Sequence, residues 1–219
     1  VIGNDVLRDY LASVSLLDQP NLRFLASRIP FMGLTQQVLM PWSIRRIPQA
    51  SLYHYPHFDM PWFAHPRSVV TIFDVNQLSN GYFDSFRLPK HLYSLGTTRM
   101  SIARARHILT ISQASKSQLV KRFPWLNAQD ISVTSMGVNE VFHAPRDPAL
   151  VRRFREKFRL GDDRFILYVG TDRAHKNLTR LLEAYARLRQ EAAFPHKLLL
   201  GGALSGDGTL RQAITHLGL

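Results

Sequence analysis

Apolar runs of strand length alternate with amphipathic helical patterns, and this alternation limits the folds open to the chain. The first series holds "SLYHY" (51–55), "SVVTIFD" (68–74), "RHILTIS" (106–112) and "DISVTS" (130–135). A helical pattern follows the third run, with Ser115 and Gln118 at capping-box spacing. Strands that alternate with helices predict an α/β fold with parallel sheets.

A second series begins at "RFILYVG" (164–170), continues as a helical pattern over 178–193 and returns to a strand at "HKLLLGG" (196–202). Between the series lies a segment with Gly and Pro punctuation and no strand pattern, which predicts domains at 1–145 and 146–219. Two strands and two helices are too few to cover both faces of a parallel sheet. We therefore expect a fragment of a longer protein, with the first strand of the first domain also missing.

Composition narrows the class of partner. The chain has no cysteine, which excludes disulfides and thiolate metal sites and fits a cytoplasmic location. Its net charge of +12 is compatible with nucleic acid, an anionic membrane surface or anionic small ligands. This charge divides into +6 on each side of residue 145, so no basic arm for nucleic acid is indicated.

A cationic loop between a strand and a helix is the strongest candidate site. The strand ends at Gly170, Arg173 and Lys176 follow, and Asn177 is placed to cap the next helix. Ligands of open parallel sheets bind at the carboxyl ends of strands, and helix N-termini favour anions. The loop therefore suits a phosphate or diphosphate, although solvated surface cations explain the same spacing. It is not a P-loop, because GxxxxGK[ST] is absent.

Two acidic positions have competing interpretations. Asp74 ends a strand that is predicted to be buried, where it suits a catalytic role or a contact with a substrate hydroxyl. Helix capping or a loop hydrogen bond explains the same position. "YHYPHFD" places His54, His57 and Asp59 within six residues, which suggests a metal site. Pro56 interrupts the backbone and no second ligand cluster follows, so we expect no metal there.

Three further patterns carry alternatives of their own. The segment 150–160 is an amphipathic basic helix that either covers the second domain or contacts an anionic membrane surface. "GGALSGDG" (201–208) is either a tight turn or a backbone contact for a ligand phosphate. Glu183 and Glu191 have E-x7-E spacing, but both lie in one amphipathic helical pattern and are expected to be surface carboxylates.

Ordered motifs over most of residues 35–219 resemble the retaining glycosyltransferases of the GT-B fold, family 4. "VTIFDV" looks like that family's "VTIHDL", and "ARARHILTISQASKSQLVKRF" is similar to "RADRIITVSEFSKRDLIRRF". "ISVTSMGVNEVFHAP" and "ILYVGTDRAHKNLTRLLEAYARL" resemble "I.VI.NGVD..F.P" and "ILYVGR...KNL..LLEAF..L". "QQVLMPWSIRR" and "YHYPHFDMPWF" resemble the family's N-terminal patterns.

The resemblance implies two Rossmann-like domains that face each other across a cleft. The C-terminal domain would bind a nucleotide-sugar donor and the N-terminal domain a glycan or lipid-linked acceptor. Lys176 would contact the donor diphosphate with Arg173 as its partner. Gly170 would permit close approach, and Asn177 would complete the diphosphate site. The activity implied is hexosyl transfer in bacterial cell-surface polysaccharide or lipopolysaccharide assembly, with no metal cofactor.

Three departures from the family pattern qualify this expectation. The family's "HD" pair is Phe73-Asp74 here, and its "EQ" pair is Gln36-Gln37. The family's own E-x7-E motif is expected beyond residue 219. A catalytically weak or non-catalytic GT-B protein is therefore the alternative, and the fragment alone is expected to be inactive.

Overall fold

The computed structural model describes residues 1–30, 32–45, 47, 50–78, 88–143, 147–191, 194–204 and 208–219. The chain forms two compact units, Val1–Met136 and Gly137–Leu219. The predicted boundary after residue 145 lies outside the described residues, nine positions beyond the end of the first unit. The first of these compact units is unit 1 and the second is unit 2.

Strands and helices alternate in unit 1, as the apolar pattern indicates. The structure also contains two short strands and three helices that the pattern did not reveal. The strands are β1 (Ile2–Gly3), β2 (Leu25–Ala26), β3 (Tyr53–Tyr55), β4 (Ser68–Thr71), β5 (His107–Thr110) and β6 (Ile131–Val133). The helices are α1 (Asp5–Ser13), α2 (Leu34–Ile44), α3 (Leu88–Arg104) and α4 (Gln113–Arg122).

The main sheet of unit 1 is parallel, in the order β3-β4-β5-β6, while β1 and β2 pair separately. Val70 and Ile108 are paired neighbours at the centre of this sheet, and both are almost completely buried. Around them the apolar core combines strand and helix side chains: Phe58, Met60, Ile72, Val75, Leu78, Ile102, Leu119, Phe123, Leu126 and Ile131. Fully buried residues alternate with partly buried ones along β4 and β5, so one face of these strands is covered more completely than the other.

Helix α4 begins one turn earlier than its predicted cap. The Ser112 side chain accepts a hydrogen bond from the Ser115 backbone N–H, so Ser112 is the N-cap residue. The predicted capping box at Ser115 and Gln118 is therefore wrong. Ser115 is already inside the helix, and its hydroxyl donates to the Phe73 carbonyl over 2.8 Å. That bond ties the start of α4 to the segment that follows β4.

Unit 2 repeats the strand–helix alternation on a smaller scale. Its elements are α5 (Pro148–Lys157), β7 (Phe165–Val169), α6 (Leu178–Glu191), β8 (Lys197–Gly201) and α7 (Thr209–His216). β7 and β8 are parallel and paired in register from Phe165 with Lys197 to Val169 with Gly201. Both strands therefore end at one edge of the sheet, where ligands of parallel sheets bind.

Tyr55 of β3 makes the stability of unit 1 depend on pH in the alkaline range. Burial raises the pKa of Tyr55 to about 12, and a contact with Ser68 offsets part of that rise. The protonated phenol is thus favoured in the folded state, so its stabilisation is complete below pH 10 and is lost as the pH rises through 12. Between these two pH values the wild type should lose about 1.4 kcal/mol of unfolding free energy per pH unit through this group. Tyr55→Phe should not show this loss.

Urea unfolding at pH 9 and at pH 11.5 measures this difference between wild type and Tyr55→Phe. At pH 9 the two proteins should agree within about 1 kcal/mol, because the substitution removes one buried hydroxyl that has no well-formed hydrogen bond to any described residue. At pH 11.5 the variant should be the more stable protein. Equal dependence on pH in both proteins would contradict the assignment to Tyr55.

Candidate functional site

Two glycines bring the ends of β7 and β8 into backbone contact. The Gly170 N–H donates to the Gly201 carbonyl over 2.9 Å, which extends the ladder beyond β7. Gly202 has a φ of +117°, and a Cβ on it would lie 2.1 Å from the Gly170 carbonyl oxygen. A Cβ on Gly170 would in turn lie 2.7 Å from the Tyr168 hydroxyl, which donates to the Thr171 carbonyl. The sheet edge is therefore closely packed and bare of side chains at these two positions.

The cationic loop follows Gly170 directly. A 3₁₀ turn over Ala174–Lys176 is closed by the Lys176 N–H, which donates to the Arg173 carbonyl over 2.8 Å. Asn177 then takes the left-handed conformation, with a φ of 57°, and its carbonyl accepts from the Leu181 N–H. The backbone thus turns sharply into α6 immediately after Lys176.

The two cations of this loop are exposed at the start of α6. Among the ion pairs of the described residues, none involves Arg173 or Lys176. Cations at a helix N-terminus add to the positive end of the helix dipole instead of balancing it. The arrangement therefore suits an anion, because side chains and helix N–H groups of this kind can stabilise negative charge on a phosphate.

The second Gly-rich segment contributes to the same edge only in part. Gly201 and Gly202 end β8 beside Gly170, as described above. Residues 205–207 of the predicted 201–208 turn lie outside the described residues. Glu183 and Glu191 lie exposed on α6, on the helix that the sequence predicted for them.

Asp74 lies exposed after β4 in unit 1. Its Oδ1 accepts a hydrogen bond from the Asn76 N–H over 2.9 Å, at the start of a 3₁₀ turn over Asn76–Leu78. This is the loop hydrogen bond that the sequence offers as one role of Asp74. Phe73, which precedes it, exposes 39% of its surface at the carboxyl edge of the sheet.

The histidines and aspartate of "YHYPHFD" separate into two contacts. His57 Nδ1 lies 2.6 Å from Asp59 Oδ1, and Asp59 is 3% exposed. His54 instead lies 2.8 Å from the Thr71 hydroxyl through its Nε2. Within the described part of the chain, no three His, Asp or Glu residues are grouped to hold a metal ion. The sequence showed these residues together but did not reveal the buried pair.

Gln36 and Gln37 are buried and hold the loop that carries this pair. Gln36 Nε2 donates to the Asp59 carbonyl over 3.2 Å. Gln37 Oε1 accepts from the Trp62 N–H over 2.9 Å, and its Nε2 donates to the Tyr93 hydroxyl. Both amides therefore position backbone and are shielded from solvent.

Helix α5 has one apolar face that is only partly covered. The Phe154 ring packs against the rings of Phe158 and Phe165, with centroids 4.8 and 6.3 Å apart. Leu150 on the first turn remains 61% exposed. The helix therefore covers the start of β7 and still presents apolar and basic side chains to solvent. No helix in the described ranges has the length and hydropathy needed to cross a membrane.

Comparison with known proteins gives relatives of two kinds. No family model matches the chain. O-antigen chain mannosyltransferase B of Escherichia coli is 29% identical over 162 residues, which are 74% of this chain and 41% of that protein. The chain thus spans less than half of the length of this relative.

Solved structures with the same fold cover nearly all of the chain. HepE of Anabaena, in complex with UDP-glucose, superposes with a TM-score of 0.64 at 18% identity, over 95% of this chain and 56% of HepE. WaaG, a glycosyltransferase involved in lipopolysaccharide biosynthesis, superposes with a TM-score of 0.63 at 12% identity. This superposition covers 100% of this chain and 67% of WaaG. These structures confirm the predicted α/β fold with parallel sheets.

Proposed function

We propose, for a chain that has the fold of the GT-B glycosyltransferases, that its protein transfers a hexose from a nucleotide-diphosphate sugar to a glycan or lipid-linked acceptor. The transfer would serve the assembly of a cell-surface polysaccharide or lipopolysaccharide. Mannose and glucose are the first donor sugars to test, because one relative is a mannosyltransferase and HepE binds UDP-glucose.

The observation that carries this proposal is the cationic loop at the carboxyl edge of unit 2. A departing nucleoside diphosphate gains negative charge as the sugar leaves it. Arg173, Lys176 and the helix N–H groups at the start of α6 are fixed positive groups that would stabilise this charge. The ends of β7 and β8 meet beside this loop at Gly170 and Gly202, where no side chain extends from the backbone. In this proposal the donor is a substrate, and protein groups supply the positive charge.

Unit 1 would bind the acceptor, in keeping with the family resemblance, and the transfer would retain the configuration of the sugar. Asp74 lies at the carboxyl edge of the unit 1 sheet, where its Oδ1 accepts a hydrogen bond from the Asn76 N–H. We propose that its carboxylate contacts a substrate hydroxyl. The cytoplasm, where nucleotide-sugars are made, would be the location of the reaction.

A panel of radiolabelled nucleotide-sugars, incubated with the complete product of the open reading frame and lipid or glycan acceptors, tests the proposal. We expect one donor to be consumed, with equal amounts of nucleoside diphosphate and glycosylated acceptor formed. The proposal fails if no donor on the panel is bound, hydrolysed or transferred.

A second candidate function is supported by Phe73. A protein with this fold that binds a nucleotide-sugar or glycan without transfer would tolerate Phe where the family pattern has His. Phe73 is 39% exposed, so an imidazole can replace its ring without creating a cavity. Phe73→His therefore separates the two candidates.

If the protein is an enzyme, the wild type turns over and Phe73→His changes kcat by less than about tenfold, because the existing site already functions. If it only binds, the wild type shows donor binding without turnover, and Phe73→His creates measurable donor hydrolysis. Phe63→His is the matched control, since Phe63 is also exposed in unit 1 but lies under Arg104. A gain in both variants would show that the effect is not specific to position 73.

Peripheral contact with an anionic membrane is a further part of the proposal. Helix α5 presents Arg152, Arg153 and the exposed Leu150 to solvent. Each basic side chain near an anionic surface contributes about 1 kcal/mol. We expect the chain to float with phosphatidylserine-containing vesicles and not with phosphatidylcholine vesicles. Arg153→Gln should lower the vesicle-binding constant by about fivefold.

The matched control for this flotation experiment is Arg180→Gln on α6, which removes the same charge from an exposed helical position. Arg180→Gln should leave vesicle binding nearly unchanged. Equal losses in both variants would assign the binding to net charge, and absence of flotation with anionic vesicles would end the membrane proposal.

A further inference from the structure

We propose that a cavity at the amino edge of the unit 1 sheet binds one sugar unit of a glycan, at a distance from the unit that reacts. The inference rests on the proposed function, because it assigns a second contact to the glycan acceptor of that reaction. The cavity has a volume of about 250 Å³. An indole, three polar side chains and an apolar floor line it: Trp125, Arg106, Asn127, Asp130, Ile102 and Leu126.

The cavity lies where β5 and β6 begin. Arg106 immediately precedes β5, and Asp130 immediately precedes β6. These strands are parallel and paired, so both start at the same edge of the sheet. Asp74 follows the end of the parallel strand β4 and therefore lies at the opposite edge. The length of the strands thus separates a ligand in the cavity from Asp74.

The indole of Trp125 is exposed and is held by two neighbours. Trp125 exposes 49% of its surface, whereas Phe123, whose ring lies edge-on to it at 5.9 Å between centroids, is buried. The Arg99 guanidinium carbon of α3 lies 5.8 Å from the centroid of the indole. A ring that is already fixed loses little conformational freedom when a ligand binds. Tryptophan also combines an apolar ring with an N–H donor, which suits a sugar with its C–H faces and hydroxyl rim.

The polar side chains of the cavity supply both donors and acceptors. Asn127 Oδ1 accepts from the Gln129 N–H over 2.9 Å, which orients the Asn127 amide at the cavity. Among the ion pairs of the described residues, none involves Arg106 or Asp130. The guanidinium donates and the carboxylate accepts, while a sugar hydroxyl can do both. The lining therefore matches the hydrogen-bonding pattern of a sugar.

The charge and size of the cavity favour a neutral sugar over other ligands. Arg106 and Asp130 have opposite charges, so the cavity has no excess of positive charge for a phosphate, and the Asp130 carboxylate repels one. Ile102 and Leu126 are buried below these groups and give the apolar contact that sugar C–H groups need. Sites for drug-sized ligands have volumes of about 300–1,000 Å³, so this cavity suits one sugar unit.

A glycan held at this cavity gains a local advantage as an acceptor. Binding of one unit makes the approach of another unit of the same glycan to the reacting edge an intramolecular event. An acceptor of several sugars can use both contacts, whereas a single sugar cannot. The cavity thus provides a preference for glycans over single sugars.

Binding is tested on the complete protein labelled with ¹⁵N-tryptophan, which gives indole signals for Trp42, Trp62 and Trp125. Trp125→Phe assigns the Trp125 signal. The compounds added are mannotetraose, maltotetraose, uridine and inorganic phosphate. We expect one of the two tetrasaccharides to shift the Trp125 signal in a saturable manner. A saturable shift with uridine or phosphate alone, or with none of the four compounds, would overturn the inference.

Calorimetric titration with that tetrasaccharide then compares variants. Trp125→Ala and Asp130→Ala should each weaken binding about tenfold. The exposed Asp130 side chain contributes no packing to the core, so Asp130→Ala keeps the test valid if Trp125→Ala lowers the unfolding midpoint. Phe63→Ala is the matched control, because Phe63 is an exposed ring under Arg104 that does not line the cavity. Wild-type affinity in Asp130→Ala, or equal losses in Phe63→Ala, would contradict the assignment.

Transfer assays separate the inference from the proposed function. Asp130→Ala should raise the KM of a tetrasaccharide acceptor about tenfold relative to that of a methyl glycoside, because the second contact is lost. Normal transfer by a protein whose Trp125 signal responds to neither tetrasaccharide refutes the inference alone. A saturable Trp125 shift in a protein that uses no donor refutes the proposed function alone.

Discussion

Lys176→Ala is expected to weaken donor binding by about 10- to 100-fold, because it removes one charge-assisted contact to a diphosphate. Lys176 is exposed in the last turn before α6, and the 3₁₀ turn holds its backbone through the Arg173 carbonyl. The substitution removes no packed side chain, so the thermal unfolding midpoint without ligand should not change. Competition of nucleoside diphosphate with the labelled donor on the complete protein measures the affinity.

Arg180→Ala is the control for this prediction. It removes the same charge from an exposed position of α6, one turn beyond the loop. Donor affinity should fall by less than about threefold in this variant, since screened charges at that distance interact weakly. Equal losses in both variants would mean that donor binding responds to net charge, and no loss in Lys176→Ala would remove the loop from the donor site.

Gly202→Ala is expected to destabilise unit 2 by about 3–5 kcal/mol. The new Cβ would lie 2.1 Å from the Gly170 carbonyl oxygen and 2.8 Å from the Gly170 nitrogen, and both are backbone atoms. They cannot move aside without breaking the bond from the Gly170 N–H to the Gly201 carbonyl. The φ of +117° adds strain for any residue with a side chain. Urea unfolding followed by far-UV circular dichroism measures the loss.

One control variant separates the steric clash from the backbone strain, and a second measurement separates unit 2 from unit 1. Gly208→Ala also places Ala at a positive φ, +83°, but its Cβ would meet no atom within 4 Å, so it should cost only about 1–2 kcal/mol. Tryptophan fluorescence reports unit 1 alone, because Trp42, Trp62 and Trp125 all lie before residue 137. A Gly202→Ala protein as stable as Gly208→Ala would contradict the close approach of the β7 and β8 ends.

Sequence patterns predicted the main sheet strands because most of these strands lie in short runs of mostly apolar residues that turn signals separate. Runs such as 68–74 and 164–170 are continuous apolar segments, and each contains an observed strand, although the strands are shorter. The strand β1 could not be found in this way. It holds only two residues, Ile2 and Gly3, and two residues have no periodicity to detect.

The contacts of the candidate sites are less visible in sequence. The spacing of Arg173 and Lys176 indicated an anion site, since a strand end and a helix start bracket both residues. Gly202 lies close to Gly170 because β7 and β8 pair with each other, although a helix separates them in the sequence. No local sequence pattern indicates such a contact. The His57–Asp59 pair resembled a metal motif in sequence, and only its burial distinguishes it from one.

Backbone amide shifts on addition of a nucleoside diphosphate test most directly the claim that the β7–β8 edge holds the donor. UDP and GDP are titrated into the complete ¹⁵N-labelled protein. We predict that one of them shifts the amides of residues 170–177 and 201–204 at concentrations that compete with the labelled donor. Shifts confined to unit 1, or no saturable shift with either nucleotide, would contradict the account.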